Sequence, residues 1–184
     1  MIIDDSFAEE LALNLLEINA VLLRPDDPFT WASGWKSPIY CDNRLTLRHP
    51  EIRAKIADHI VTFIDQQHPD LDVVTGTATA GIPHAAWVAE RLNKPMAYVR
   101  SKAKAYGMGN QIEGGVEKGE STIVIEDLIS TGGSVLSVVE ALKFIGADIK
   151  AIVSIFTYGL DKSMQKFKKA KVDVHNLTDY TTLV

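Results

Sequence analysis

The sequence contains a single cysteine among its 184 residues, so no disulfide can form within the chain. It has no apolar run close to the roughly 18 consecutive residues that a membrane helix needs. Four of its first ten residues are acidic, where a secretory signal peptide would carry basic residues followed by an apolar stretch. These absences predict a cytoplasmic protein and argue against a membrane or secreted one.

The sequence also lacks an excess of positive charge. It has 19 Lys and Arg against 24 Asp and Glu, a net charge of -5, which opposes non-specific binding of nucleic acid by the whole surface. Its hydrophobic fraction of 46% and charged fraction of 23% are ordinary for a globular protein and unlike those of a disordered or fibrous chain. We expect one domain over residues 1–184, no nucleic-acid partner, and an anion site only where a local cluster builds one.

The N-terminal third is predicted to hold two helices with an irregular segment between them. Apolar residues at three- and four-residue spacing predict an amphipathic helix over residues 4–20, with Ser6 and Glu9 as a capping box. Prolines and a glycine interrupt the periodicity over residues 21–47, which we interpret as a loop with short extended pieces. A second helix, with a proline in its first turn, is predicted over residues 50–67.

From residue 71 onward, apolar β-rich runs alternate with helical patterns. The runs cover residues 71–75, 96–100, 122–125 and 149–157, and the helical patterns cover residues 82–92, 134–145 and 161–169. Strands that are apolar on both faces are typical of a parallel sheet covered by helices on each side. We therefore predict an α/β fold with an open doubly wound parallel sheet, preceded by an appendage over about residues 1–47, and ligands at the carboxyl ends of the strands.

The strongest local signal is the segment TIVIEDLISTGGS at residues 122–134, in which an apolar strand runs into two acids, a hydroxyl- and glycine-rich loop, and a helix. Its paired glycines allow a tight turn, so that amides of the loop and of the helix N-terminus point at one spot. Ser130, Thr131 and Ser134 add hydroxyl donors, which predicts a phosphate site. The segment does not fit the P-loop pattern G-x-x-x-x-G-K-[ST].

Glu126 and Asp127 stand immediately before this loop, and they would repel a phosphate unless they face something else. Sugar hydroxyls and Mg²⁺ are groups that carboxylates bind well. The combination favours a sugar phosphate as the ligand. The alternative is an ordinary strand-to-helix turn in which Asp127 is solvated and the glycines serve only the turn.

This segment resembles the phosphoribosyl-diphosphate binding motif of the type I phosphoribosyltransferases, which has an apolar strand, Glu-Asp, two apolar residues and Ser-Thr-Gly-Gly-Ser. Three further segments resemble, in order and spacing, those of the members that use orotate. They are FTWASGWKSPIYCDNR (residues 29–44), GTATAGIPHAAW (residues 76–87) and YVRSKAKAYGMGNQIEG (residues 98–114). With the phosphate motif they span most of residues 29–134.

The resemblance implies the type I phosphoribosyltransferase fold and the formation of orotidine 5′-monophosphate and diphosphate from orotate and phosphoribosyl diphosphate with Mg²⁺, in pyrimidine biosynthesis. Breaking the bond between C1′ and the diphosphate builds positive charge on the ribose and negative charge on the leaving group, so cations are needed there. The cations are supplied by Arg100, Lys102 and Lys104. The glycine-rich loop that carries Lys104 and Tyr106 would close over the substrate. In this family the loop reaches the neighbouring subunit's site, which implies a homodimer.

The same resemblance implies roles for individual residues of the site. The catalytic residues would be Lys104, Arg100 and Asp127, and Asp127 would also hold the metal. The phosphoribosyl diphosphate would bind Arg100, Lys104, Tyr106, Glu126, Asp127, Leu128, Ile129, Ser130, Thr131, Gly132, Gly133 and Ser134. Residues 29–44 would form a hood over the base, with Lys36, Tyr40, Arg44 and Ser130 as orotate contacts.

The chain departs from the family pattern at four positions, one of which is Ser101, where another basic residue is frequent. Ala32 and Ala80 stand where some members carry lysine, so neither lysine role passes to this chain. Tyr106 stands where histidine is frequent, and a phenol does not exchange a proton near neutral pH, which weakens a general-acid role. Two alternatives are a phosphoribosyltransferase for a purine base, which has no reason to carry the hood segment, and a non-catalytic sensor of phosphoribosyl diphosphate.

The other reactive residue types have ordinary interpretations. The five histidines show no paired ligand spacing, so no zinc site is predicted. Cys41 has no companion base in the sequence, which argues against a nucleophilic role. A lysine cluster over residues 166–171 is interpreted as a solvated face, with an RNA contact as the alternative.

Overall fold

A computed structural model describes residues 1–30, 34, 36–100 and 111–183. The helices are α1 (Asp5–Glu17), α2 (Pro50–Gln67), α3 (Gly81–Leu92), α4 (Gly133–Phe144), α5 (Asp161–Ala170) and α6 (Tyr180–Leu183). The strands are β1 (Val21–Leu23), β2 (Phe29–Thr30), β3 (Lys36–Ser37), β4 (Ile39–Cys41), β5 (Val73–Thr77), β6 (Met96–Val99), β7 (Ile112–Glu113), β8 (Ser121–Ile129), β9 (Asp148–Thr157) and β10 (Val174–Asp179). A 3₁₀ helix covers Asn43–Arg48. Within these residues no helix is long and apolar enough to cross a membrane.

The central sheet has the strand order β10-β9-β8-β5-β6-β7, and every neighbouring pair is parallel except β6 with β7. Successive residues of β8 enter different cores: Ile123 and Ile125 pack with α1, α2 and α3, whereas Val124 packs with α4 and α5. This alternation is expected of a strand that is buried on both faces. The predicted α/β fold with a doubly wound, mostly parallel sheet is confirmed.

Between α1 and the 3₁₀ helix, the appendage forms short paired strands. Strand β1 pairs antiparallel with β4, and β2 pairs antiparallel with β3. The 3₁₀ helix then leads into α2, whose predicted bounds of 50–67 are confirmed. The interpretation of residues 21–47 as a loop with extended pieces therefore agrees with the described part of that segment.

Two local predictions were wrong in detail. Helix α1 is capped by Asp4, whose carboxylate accepts the N–H of Phe7 at 3.0 Å, so Ser6 and Glu9 do not form the capping box. Asp4 caps the helix because it directly precedes the first turn, and from there its side chain reaches the first-turn amides. Strand β8 was expected to end at residue 125 but continues to Ile129, which places both acids of the motif inside the strand.

Candidate functional site

A cavity of about 380 Å³ lies at the carboxyl end of the sheet, where β5 and β8 end. Three parts of the chain line it. They are Cys41, Asp42 and Arg44 from the hood, Ala78, Thr79 and Ala80 from the loop after β5, and Glu126, Asp127, Leu128 and Ser134 from the motif. The motif and the hood, which are about 85 residues apart in sequence, thus meet at the edge where ligands of parallel sheets bind.

The two acids of the motif have different surroundings. Glu126 is 4% exposed, and its Oε1 accepts the backbone N–H of Asp127 at 3.0 Å. Burial, together with the neighbouring Asp127, raises the pKa of Glu126 to about 9, so its carboxyl is protonated at neutral pH. Asp127 is only partly buried and faces the cavity. The pair therefore presents one buried proton donor and one partly exposed acid instead of two equal carboxylates.

The loop that follows is held from behind by α5. Gly132 has φ of +74°, and a Cβ atom there would lie 2.8 Å from Cζ of Phe167, so this position needs glycine for both conformation and space. Lys166 Nζ donates to the carbonyl of Thr131 at 2.8 Å. Helix α4 begins directly after Gly132, which leaves its first amides at the site. This is the arrangement expected of a phosphate cradle.

The remaining motif residues contribute in different ways. Leu128 and Ser134 line the cavity, whereas the side chain of Ile129 is buried in the core on the α4 side. The carbonyl of Ile129 accepts the N–H of Tyr158 at 3.0 Å, which ties the end of β8 to the chain after β9. Ser130 is half-buried at the start of the loop. Ile129 therefore supports the site from the core side.

The loop after β5 lies close against β8. At Gly81 a Cβ atom would approach the carbonyl oxygen of Ile125 to 2.5 Å, so only glycine permits this distance between loop and strand. The N–H of Ala78 donates to the carbonyl of Val99 at 3.0 Å, and the Ala78–Thr79 peptide bond is cis. Ala78, Thr79 and Ala80 of this loop line the same cavity as Asp127.

Of the hood residues predicted to contact the base, the structure brings Arg44 to the cavity. Its guanidinium forms a bidentate pair with Asp42, with Nε to Oδ1 at 2.6 Å and Nη2 to Oδ2 at 2.7 Å. These hydrogen bonds lower the pKa of Asp42. Lys36 and Tyr40 are exposed and are not part of the described cavity lining, and the Tyr40 ring instead lies beside Phe29, with centroids 5.6 Å apart.

Arg100 follows β6, the strand next to β5, and so stands at the same edge of the sheet. Its Nη1 lies 3.6 Å from Oε1 of Glu113, and its backbone N–H donates to the carbonyl of Gln111 at 2.8 Å. Lys104 and Tyr106, which were predicted to act in the loop that follows, lie outside the described residues, as do Lys102 and Ala32.

Cys41 is buried, and burial raises the pKa of its thiol well above the ordinary value, which leaves a neutral thiol and not a nucleophile. Sequence reasoning missed the neighbours that surround it. Asp42 fixes Arg44, the side chain of Asn43 contacts β8, and the hydroxyl of Tyr158 accepts the Cys41 N–H at 3.1 Å. Only the Asp42 to Arg44 spacing was visible in the sequence, since the other contacts join residues far apart in the chain.

Comparison with known proteins gives matches that cover nearly the whole chain. Residues 46–181 match the family described as the phosphoribosyl transferase domain. The chain is 57% identical over 175 residues to orotate phosphoribosyltransferase of Bacillus cytotoxicus, covering 95% of this chain and 83% of that protein. The crystal structure of orotate phosphoribosyltransferase from Aeropyrum pernix is similar with a TM-score of 0.81 at 29% identity, covering 94% of this chain and 95% of that one. The structure of Leishmania donovani UMP synthase gives a TM-score of 0.79 at 28% identity, and the match spans 96% of this chain but 37% of that longer one.

Proposed function

Because the chain belongs to the phosphoribosyl transferase family and, within it, to the orotate phosphoribosyltransferases, we infer that it transfers the phosphoribosyl group of 5-phospho-α-D-ribose 1-diphosphate to orotate. The products are orotidine 5′-monophosphate and diphosphate, in the synthesis of pyrimidine nucleotides. The observation that carries this function is that the Glu126–Asp127 pair, Ser134 at the end of the loop 130–134 and the hood meet at one cavity.

In our proposal the 5′-phosphate binds the loop from Ser130 to Ser134, where amides at the N-terminus of α4 and three hydroxyls converge. The ribose hydroxyls face the two acids, with the protonated carboxyl of Glu126 as a donor and Asp127 as an acceptor. Leu128 and Ile129 connect the two acids to the loop. The diphosphate would lie against the main chain of residues 78–80 and against Arg100.

Members of this family generally use Mg²⁺ with phosphoribosyl diphosphate. Mg²⁺ is commonly held by one or two carboxylates together with substrate phosphates, not by a complete protein cage. Asp127 offers such a carboxyl at the cavity, and the described part of the chain contains no group of three or more His, Cys, Asp or Glu that could hold an ion alone. A single carboxyl of this kind fits an ion that arrives with the substrate. When bound, the ion would neutralise charge on the leaving diphosphate.

Orotate would approach from the hood. Two of the five guanidinium donors of Arg44 are used by Asp42, so the others remain for the carboxylate of the base, and Asp42 holds the group in place. Lys36, Tyr40 and Ser130 stay predicted orotate contacts. Neither Lys36 nor Tyr40 is among the described lining residues, so closure of the hood would be needed to bring them to the base.

Further parts of the proposal concern the loop and the assembly. Lys104 and Tyr106 would close over the diphosphate, with Lys104 adding positive charge at the leaving group, and the loop would be shared between two subunits of a homodimer. A cytoplasmic location, a single domain with its appendage at about residues 1–47, and the lack of a nucleic-acid partner also stay predictions.

The function is tested by following orotate consumption spectrophotometrically with phosphoribosyl diphosphate and Mg²⁺, with adenine, hypoxanthine and uracil as parallel substrates. We expect Mg²⁺-dependent loss of orotate alone. Consumption of another base instead would contradict the role of the hood, and well-folded protein that uses no base would favour the sensor alternative.

A further inference from the structure

One buried side chain joins the hood directly to the strand that carries the acids. Asn43 is 0% exposed, and its Nδ2 donates to the main-chain oxygen of Asp127 at 2.6 Å. Its Oδ1 accepts the thiol hydrogen of Cys41, with the sulfur 3.3 Å away. The amide therefore has partners in both parts of the site, and its hydrogen bond to β8 is to backbone.

The position of this contact follows from how the sheet ends. The ladder between β5 and β8 stops at Gly76 and Ile125, whereas β8 continues beside β9 to Ile129. At Asp127 the strand has therefore passed the end of its β5 partner. A buried carbonyl without a donor is costly, and Asn43 supplies a donor where the neighbouring strand has ended.

Asn43 is itself held firmly by the first turn of the 3₁₀ helix. The hydroxyl of Thr46 donates to the carbonyl of Asn43 at 2.6 Å, and the carboxylate of Asp42 accepts the N–H of Arg44 at 3.2 Å. Asp42 and Arg44, on either side of Asn43, both line the cavity. A fixed amide between them sets how far the hood stands from Asp127.

We propose that Asn43 is a positioning residue that sets the distance between the base-binding hood and the ribose-binding end of β8. This inference rests on the proposed function, in which a ring nitrogen of orotate loses its proton to solvent and bonds to C1′ while the bond from C1′ to the diphosphate oxygen breaks and the diphosphate leaves with the electron pair. A displacement of about 1 Å between two reactants can lower a rate by about a hundredfold. Loss of the Asn43 contact should therefore slow turnover while each substrate still binds its own half of the site.

The test compares Asn43→Ala with Thr46→Ala, which loosens the same turn but leaves the donor to Asp127 in place. Measurements are kcat and KM for both substrates, the dissociation constant of each substrate alone by calorimetry, and Tm. We expect Asn43→Ala to lose about 10- to 100-fold in kcat, with the separate dissociation constants near those of the wild type. Thr46→Ala should lower Tm without that loss in kcat. Losses in kcat that follow Tm equally in both variants would overturn the proposal.

A second variant, Asn43→Leu, is close to asparagine in size but has no donor for the Asp127 carbonyl. We expect it to lose kcat as Asn43→Ala does, with the separate dissociation constants near those of the wild type. Wild-type kcat from Asn43→Leu would contradict the inference, including in the case that Asn43→Ala does not fold. Wild-type protein inactive on orotate would instead refute the proposed function.

Discussion

The phosphate loop and the hood border the same cavity, but they are held by different kinds of contact. The loop is continuous with β8 and α4, and α5 supports it through Phe167 and Lys166. The hood has short two- and three-residue strands and joins the sheet through the side chains of Asn43 and Tyr158. The loop is thus held by packing against a helix, whereas the position of the hood depends on a few side-chain hydrogen bonds to the sheet and the chain after it.

This difference predicts where substitutions act. Changes in the loop should affect both binding of phosphoribosyl diphosphate and folding, because the loop residues are also packing residues. Changes in the hood attachments should affect folding modestly and act mainly on the relation between the two substrates. The following predictions test that contrast, beginning with the largest expected effect.

Asp127→Asn should have the largest effect on activity. The substitution keeps the size of the side chain but removes the negative charge proposed to face ribose and metal, so kcat should fall by about a thousandfold or more. Stability should change little because the side chain is only partly buried. Steady-state kinetics and a thermal melt check both points.

The control for this change is Asp148→Asn, at the opposite end of the sheet, where an exposed acid pairs with Lys150. It should keep wild-type kinetics. Wild-type turnover by Asp127→Asn would refute the assignment of the acidic residue.

Gly132→Ala should have the largest effect on stability. Alanine at φ of +74° is strained, and its Cβ would lie 2.8 Å from Phe167, so we expect a loss of about 1 to 3 kcal/mol in the free energy of unfolding, with weaker binding of phosphoribosyl diphosphate. Gly133→Ala is the matched control because the nearest atom to its Cβ, Thr131 Oγ1, lies at 4.0 Å. Denaturant unfolding should separate the two variants; equal stability would show that the loop is not held as tightly as the packing indicates.

The same contrast explains which parts of the site the sequence reveals. The loop 130–134 could be predicted from the sequence because its glycines and hydroxyl residues are adjacent in the chain, and the role of each depends on local backbone conformation. The continuation of β8 through Glu126 and Asp127 could not be predicted, because paired acids ordinarily end an apolar strand. Burial by distant elements is the main reason that Glu126 stays protonated within it. The hydrogen bond of Asn43 to Asp127 joins residues 84 positions apart, so no local pattern could predict it.

Strand β10 was not predicted from the sequence, for the same reason. Its polar residues gave no β signal, yet they are buried with long-range partners: Ser154 Oγ donates to Oδ1 of Asn176 at 2.7 Å, and Thr178 Oγ1 donates to the carbonyl of Ala8 at 2.9 Å. The sequence therefore predicts the architecture from its apolar runs, whereas buried polar residues become interpretable only when their partners are known.

Glu126→Gln should change how stability depends on pH. The folded-state pKa of Glu126, about 9, lies above the ordinary value of 4.5, so the folded protein keeps a proton that the unfolded chain has lost. The contribution of this group is complete below about pH 4.5 and is lost as pH rises towards 9, with a slope of at most about 1.4 kcal/mol per pH unit. Glutamine stays neutral, so wild-type stability should decline relative to the variant by up to about 3 kcal/mol between roughly pH 6 and 8.

Denaturant unfolding at several pH values measures this difference. Glu9→Gln, on the exposed face of α1, should give a curve parallel to that of the wild type. A parallel curve from Glu126→Gln would mean that Glu126 is ionised in the free protein, and the two acids would then be alike.

Tyr158→Phe should have the smallest effect on activity and tests the hood directly. It removes the hydroxyl that accepts the buried Cys41 N–H, which leaves that donor without this acceptor and costs about 1 to 3 kcal/mol in stability at most. Since Asn43 still contacts Asp127, kcat should fall much less than in Asn43→Ala. Tyr180→Phe removes a hydroxyl elsewhere and controls for the substitution itself. If Tyr158→Phe instead matches Asn43→Ala in kcat, any loosening of the hood would slow turnover, and the hood would be positioned by both attachments together and not by Asn43 alone.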